Sequence, residues 1–350
     1  MKKTIIIGII TTMLFTACNS TEPIPVPENE KLVKIEMQLP QYYAMGDWEK
    51  SQSRADLNDS GYLPSNFWTD YLKNLPENST LWVIYEKKID DSNYSTPELK
   101  GYIVKADAGY NSLYACTTST SDDIISINTE TWGAPLYLEE GTYRFRIVTP
   151  AYPIKQKDNK MFMNIDNGTY LFATDDRYER TKTQNIEIVY TGGQERVQYI
   201  TLPPMIAQTA SMGFTIEKGD NVYSLEMLDA GIEISGIQPS GKDWDITTAL
   251  PMERGNKRGI TRIKGDLFTT DEHGNLTGDT SILPTYAESN SIVILINIAV
   301  NGIPTQYQTV LNGMNFWHAC SYNLKLKVSV KDNIVVMTWQ NQSWVTDQKW

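Results

Sequence analysis

Short runs in which apolar and polar residues alternate, or in which β-branched residues predominate, recur along most of the chain between turn-forming residues. Side chains on a strand point to opposite faces in turn, so such runs predict half-buried strands. Their density predicts a sandwich or barrel rather than a parallel α/β fold. In the first half the runs are Leu32–Leu39, Leu81–Lys87, Tyr102–Ala106, Leu136–Leu138, Tyr143–Thr149 and Asn185–Tyr190. In the second they are Val197–Leu202, Gly213–Glu217, Ile232–Ile237, Ile292–Val300, Gln306–Leu311, Tyr322–Val330 and Ile334–Trp339. Glu139-Glu140-Gly141, between two runs, is a plausible hairpin loop. One segment departs from the pattern: Ser65–Leu75 places Phe67, Trp68, Tyr71, Leu72 and Leu75 behind a capping residue, the spacing of an amphipathic helix covering one end of a sheet. Residues 236–259, rich in Gly, Pro, Lys and Arg, and 270–281, polar with two glycines, read as exposed loops.

The N-terminus has a different pattern. Lys2 and Lys3 precede an apolar run from Ile5 to Phe15 that ends in Thr16, Ala17 and Cys18. This predicts a signal peptide over residues 1–17, because the run is well short of the roughly 20 residues a membrane-spanning helix needs. Phe-Thr-Ala-Cys is similar to the lipobox of bacterial lipoproteins, with Phe15 where Leu is most common, and this similarity implies acylation of Cys18 as the new N-terminus. Two or more acyl chains hold a protein stably to a bilayer. Residues 18–30, with Pro23, Pro25 and Pro27 and no apolar period, read as an extended tether.

Losing residues 1–17 removes two lysines, so the mature chain carries 29 basic residues against 42 acidic ones, a net charge of −13. Such a charge repels nucleic acid and anionic lipid and favours protein or glycan partners. The remaining length exceeds what one core usually serves. Thr191-Gly192-Gly193-Gln194, a flexible link or a hairpin turn, suggests domains over residues 31–194 and 195–350. Cys116 and Cys320 read as two buried free thiols. His273 and His318 have no cysteine or second histidine at ligand spacing, so no metal or cofactor is expected.

Catalytic chemistry finds little support. Gly236-Ile237-Gln238-Pro239-Ser240-Gly241-Lys242 follows a phosphate-binding pattern until Asp243 stands where a hydroxyl would hold magnesium, so a turn is the better reading. Neither a Gly-x-Ser-x-Gly nor a His-Glu-x-x-His pattern occurs. Asp122-Asp123 and Asp175-Asp176 read as solvated turn carboxylates, and the chain is not expected to be an enzyme. With 9 Trp and 20 Tyr, aromatic ligand platforms merit more weight. Trp82, Tyr143 and Trp339 fall within strand-like runs, where packing explains them. Trp132, Trp244 and Trp317 lie beside loops and are the candidates for a ligand platform.

The second half resembles the fimbrillin family, the lipoprotein pilins of type V pili and their relatives. The resemblance rests on Leu202-Pro203-Pro204-Met205-Ile206-Ala207-Gln208, Met212-Gly213-Phe214-Thr215-Ile216, Ile232-Glu233-Ile234-Ser235-Gly236 and Leu283-Pro284. It continues through Ile292–Ile298, Asn315-Phe316-Trp317 and Tyr322-Asn323-Leu324-Lys325-Leu326, with Cys320 where Gly is expected. In the first half, Leu138-Glu139-Glu140-Gly141-Thr142-Tyr143-Arg144-Phe145 is similar to a strand-turn-strand of such proteins. The resemblance implies an all-β fold of two tandem transthyretin-like β-sandwiches, made as a lipoprotein precursor at the outer membrane. It further implies a trypsin-like cut after an arginine of the N-terminal segment, which removes the first strand with the lipid, and other pilus subunits as partners.

Arg54 is the candidate for that cut. It stands with Lys50, Ser51, Gln52, Ser53, Ala55 and Asp56 in a polar stretch open to proteases; Lys50 is the alternative. Cleavage between Arg54 and Ala55 would carry away the alternating run Leu32–Leu39. At the other end, Gln340–Trp350 is polar apart from Trp344, Val345 and Trp350 and reads as a strand-forming tail that could serve as a donor. The expected function is a structural or adhesive pilus subunit, of shaft or tip type. The alternative is a non-polymerising anchor or a surface lipoprotein that binds host or bacterial protein or glycan.

Overall fold

The computed structural model describes residues 31–43, 46–47, 72–107, 109–158, 160–191, 196–238, 242–246, 259–285, 291–312, 316–332 and 334–339. They form two transthyretin-like β-sandwiches in tandem, within one compact unit that begins at Lys31. In the first sandwich, Thr80–Lys87, Glu98–Asp107, Tyr110–Ser121, Ile124–Trp132 and Gly141–Thr149 lie in one large sheet. A three-stranded sheet covers its inner face, in the order Val197–Ile200, Leu32–Met37, Leu136–Glu139. Val33, Ile35, Leu136, Leu138 and Ile200 share a core with Leu81, Val83, Val104, Phe145 and Ile147.

The second sandwich sets Thr269–Thr270, Leu276–Ile282, Ala210–Lys218, Cys320–Lys331 and Ile334–Trp339 against Gly259–Ile263, Leu225–Ile237, Ser291–Val300 and Ile303–Asn312. The alternation in Ser291–Val300 explains why this strand forms where it does: Ile292, Ile294, Ile296 and Ile298 are all fully buried. At about 1.5–3 kcal/mol for each buried aliphatic side chain, this one strand contributes strongly to the core.

The halves are joined by more than their link. Gly192 and Gly193 lie outside the described residues, and beyond them the chain still returns to the first sandwich. Val197–Ile200 runs parallel to Leu32–Met37, and Ile206–Ala207 pairs with Phe172–Ala173. From Ala210 most strands belong to the second sandwich, whose larger sheet also takes in Gly46–Asp47 from near the start of the chain. On the outer face of the large sheet, Lys160–Ile165 pairs with Lys242–Asp245 of the second half. A separate apolar cluster forms there, containing Trp82, Ile84, Val148, Met163, Trp244 and Leu283.

Several expectations fail for identifiable reasons. The end of the expected helix, Leu72–Asn74, is a strand antiparallel to Gln41–Tyr43, and residues 65–71 lie outside the described residues. Pro76 disfavours a helical Leu75, whose amide instead donates to Pro40 O. Glu139-Glu140-Gly141 is no hairpin, because the strands on either side belong to different sheets and the chain crosses between them there. The supposed polar loop 270–281 contains the strand Leu276–Ile282, paired along its length with Ala210–Lys218. After Gly236, Lys242–Asp245 is a strand where a phosphate-binding loop would need a helix.

Candidate functional site

The first strand is held on both sides. Lys34–Met37 pairs in parallel with Val197–Ile200, and Leu32–Ile35 pairs antiparallel with Leu136–Glu139. Lys34 N donates to Arg196 O at 2.6 Å and Gln38 N to Ile200 O at 3.0 Å. Val33 and Ile35 point into the core, while on the opposite face Lys34 Nζ meets Glu36 Oε1 at 2.6 Å. That hydrogen bond raises the Lys34 pKa and lowers that of Glu36.

The chain then crosses towards the second sandwich. Tyr42 and Tyr43 are buried, Tyr43 N donates to Met205 O at 2.9 Å, and Gly46–Asp47 runs parallel to Cys320–Ser321. Among the described residues, the segment upstream of Arg54 therefore contributes three strands rather than one, and it touches sheets of both sandwiches. Arg54 and Ala55 lie outside the described residues, as do Cys18 and Lys50.

A buried polar junction also ties the halves together. Asp175, expected to be solvated, is fully buried and accepts from Arg177 Nη2 at 2.8 Å and Gln208 Nε2 at 3.3 Å. Arg177 Nη2 lies 2.8 Å and the Tyr178 hydroxyl 3.0 Å from Nε2 of His318, which is also fully buried. A guanidinium can only donate, so Nε2 is an acceptor and the neutral imidazole carries its proton on Nδ1. Burial first, and the Arg177 charge second, hold the His318 pKa well below its ordinary value. Sequence reasoning missed this cluster because residues 140 positions apart converge in it.

The three loop-side tryptophans separate in the fold. Trp132 is 57 % exposed, whereas Trp244 and Trp317 are each 5 % exposed. Trp244 is covered because Lys242–Asp245 forms a strand against Lys160–Ile165, and Trp317 packs into the second core, its amide donating to the Tyr322 hydroxyl at 2.8 Å. Neither offers a face to a ligand; Trp132 does. Cys116 and Cys320 are free and buried, and burial pushes the Cys320 thiol up to about 12, leaving it an unreactive thiol.

A family model described as fimbrillin-like matches residues 32–348. The chain belongs to the fimbrillin-like family. Among solved structures it is similar to a candidate cell adhesion protein from Bacteroides fragilis, at 34 % identity and a TM-score of 0.69, over 90 % of this chain and 99 % of that one. More distant are a candidate cell adhesion protein from Bacteroides ovatus (9 % identity, 90 % and 99 % covered, TM-score 0.47) and the fimbrial anchor protein Mfa2 from Porphyromonas gingivalis (13 % identity, 91 % and 98 % covered, TM-score 0.36). No curated protein matches. The order of weak motifs from Leu202 to Leu326 thus marked this fimbrillin-like chain where no single motif could.

Proposed function

We propose that this fimbrillin-like protein is a structural or adhesive subunit of a cell-surface pilus. It is exported as a lipoprotein acylated at Cys18, displayed at the outer membrane, and assembled by donor-strand exchange after a cut between Arg54 and Ala55. The observation that carries this reading is the double pairing of Leu32–Met37 in the middle of its sheet. Removing that strand would leave two unpaired edges and an apolar groove where Val33 and Ile35 had been. At about 1.5–3 kcal/mol per buried side chain these two alone account for roughly 3–6 kcal/mol, a large part of a domain's usual 5–15 kcal/mol. A strand from another subunit restores both the hydrogen bonds and the burial, so association follows from folding energetics and needs no catalytic residue. The tail after Trp339 is our candidate donor. Electron microscopy of expressing cells, with and without deletion of the gene, tests the reading. Surface filaments that vanish with the deletion support it, and an unchanged surface contradicts it.

A further inference from the structure

Between the end of the first strand and the hairpin of Tyr110–Ser121 and Ile124–Trp132, the two sheets of the first sandwich part to leave a cleft of about 620 Å³. Two strand endings open it. The antiparallel pairing of the first strand stops at Ile35 opposite Leu136, so Glu36–Leu39 runs on along the gap. In the hairpin, ladder pairing with Ile124–Trp132 ends at Cys116, one further bond runs from Gly133 N to Ala115 O at 2.9 Å, and Asn111–Ala115 forms the facing wall.

The lining is specific in its chemistry. Trp132 stands on one wall, its ring backed by Tyr114 with centroids 5.2 Å apart, and Tyr199, 72 % exposed, lines the other side. Deeper in, Tyr102 is only 4 % exposed and its hydroxyl has no hydrogen-bond partner among the described residues. An unpaired buried hydroxyl costs about 1–3 kcal/mol. Burial raises its pKa, so it stays a neutral donor and acceptor at physiological pH. Lys34 and Glu36 are the charged residues among the described lining, and they neutralise each other.

The cleft therefore suits an uncharged molecule with apolar faces to stack on rings and hydroxyls to meet buried polar groups. A sugar ring has both: its C–H bonds carry the slight positive charge that the negative face of an aromatic ring attracts. The volume lies in the usual range of about 300–1,000 Å³ for small-ligand pockets. An added peptide strand fits less well, since main-chain pairing would use neither the aromatic faces nor the Tyr102 hydroxyl. We propose that this cleft binds a neutral saccharide, with Trp132 and Tyr199 as stacking faces and Tyr102 as the buried hydrogen-bonding group. One wall is the first strand, so the site is complete only while that strand, or a strand replacing it, is in place. That coupling rests on the pilus reading; the binding chemistry does not.

The test uses the soluble chain from residue 19 onward on an array of neutral and acidic saccharides and extended peptides, followed by fluorescence titration of the best neutral hit. Trp132→Ala removes an exposed ring and is expected to weaken binding at least tenfold. Tyr102→Phe keeps the ring, removes only the hydroxyl, and is expected to weaken binding about tenfold, as loss of one buried hydrogen bond should. Trp132→Ala should keep the parent melting temperature, Tyr102→Phe should keep or raise it because the hydroxyl it removes is buried and unpaired, and both variants should still support filaments. Failure of every neutral saccharide to bind, binding of acidic glycans or peptides alone, or binding that neither substitution weakens would overturn the proposal. Filament loss with saccharide binding intact would count instead against the pilus reading.

Discussion

Acidification should weaken the junction between the two sandwiches through one residue, His318. In the folded protein its Nε2 faces two donors, Arg177 Nη2 at 2.8 Å and the Tyr178 hydroxyl at 3.0 Å, and burial keeps the ring neutral. In the unfolded chain the same imidazole titrates near pH 6.5. Below that pH the unfolded state takes up a proton that the folded state refuses, so stability is complete above about pH 6.5 and is lost as the pH falls. A folded state that refuses the proton throughout this interval loses at most about 1.4 kcal/mol from this group at pH 5.5, the ceiling set by the unfolded imidazole. Carboxylates elsewhere also contribute to any acid slope, and a variant cancels them. His318→Gln places an amide oxygen close to the position of Nε2, keeps an acceptor for Arg177, and cannot titrate. Urea unfolding at pH 7.5 and 5.5 should show the parent losing up to about 1.4 kcal/mol more than the variant over that interval. Equal losses in the two proteins would refute the reasoning, and would mean that the buried imidazole finds a partner for its second proton.

Two further outcomes follow from the proposed life of the precursor. Cys18→Ala should release the protein from membranes or block its processing, read by fractionation and palmitate labelling; an unchanged mature protein still in the membrane fraction would contradict lipidation there. Deleting residues 343–350 should leave folded monomers that no longer polymerise, read by circular dichroism and electron microscopy, whereas unfolded monomers would place the tail in its own domain's core.

The parts of the fold that were legible in the sequence are those where burial writes a period of two. Ser291–Val300 and Cys320–Lys331 bury alternate aliphatic residues, and both were visible as strands. Tyr110–Ser121 was not, because its Thr-Thr-Ser-Thr-Ser end lies exposed beyond the sandwich core and carries no apolar face. The same holds for Leu276–Ile282, whose Thr, Gly and Asp residues look like a loop until seven partners in Ala210–Lys218 pair with them. Trp244 and Trp317 looked like loop residues because their neighbours are polar and glycine-rich, while the surfaces that cover them come from distant segments. Trp132 was legible as a ring beside a loop, and it is exposed, but the cleft beside it was not legible. That cleft arises from where two strand pairings stop, and its deepest polar group, Tyr102, reads in sequence as an ordinary strand aromatic.

The central claim is that a subunit surrenders its own N-terminal strands and receives another's. Sequencing the N-terminus of purified filaments tests it most directly. The account predicts a start at Ala55, with the segment that carries Leu32–Met37 and the lipid absent. Filaments whose subunits begin at Cys18 and retain that strand would contradict it.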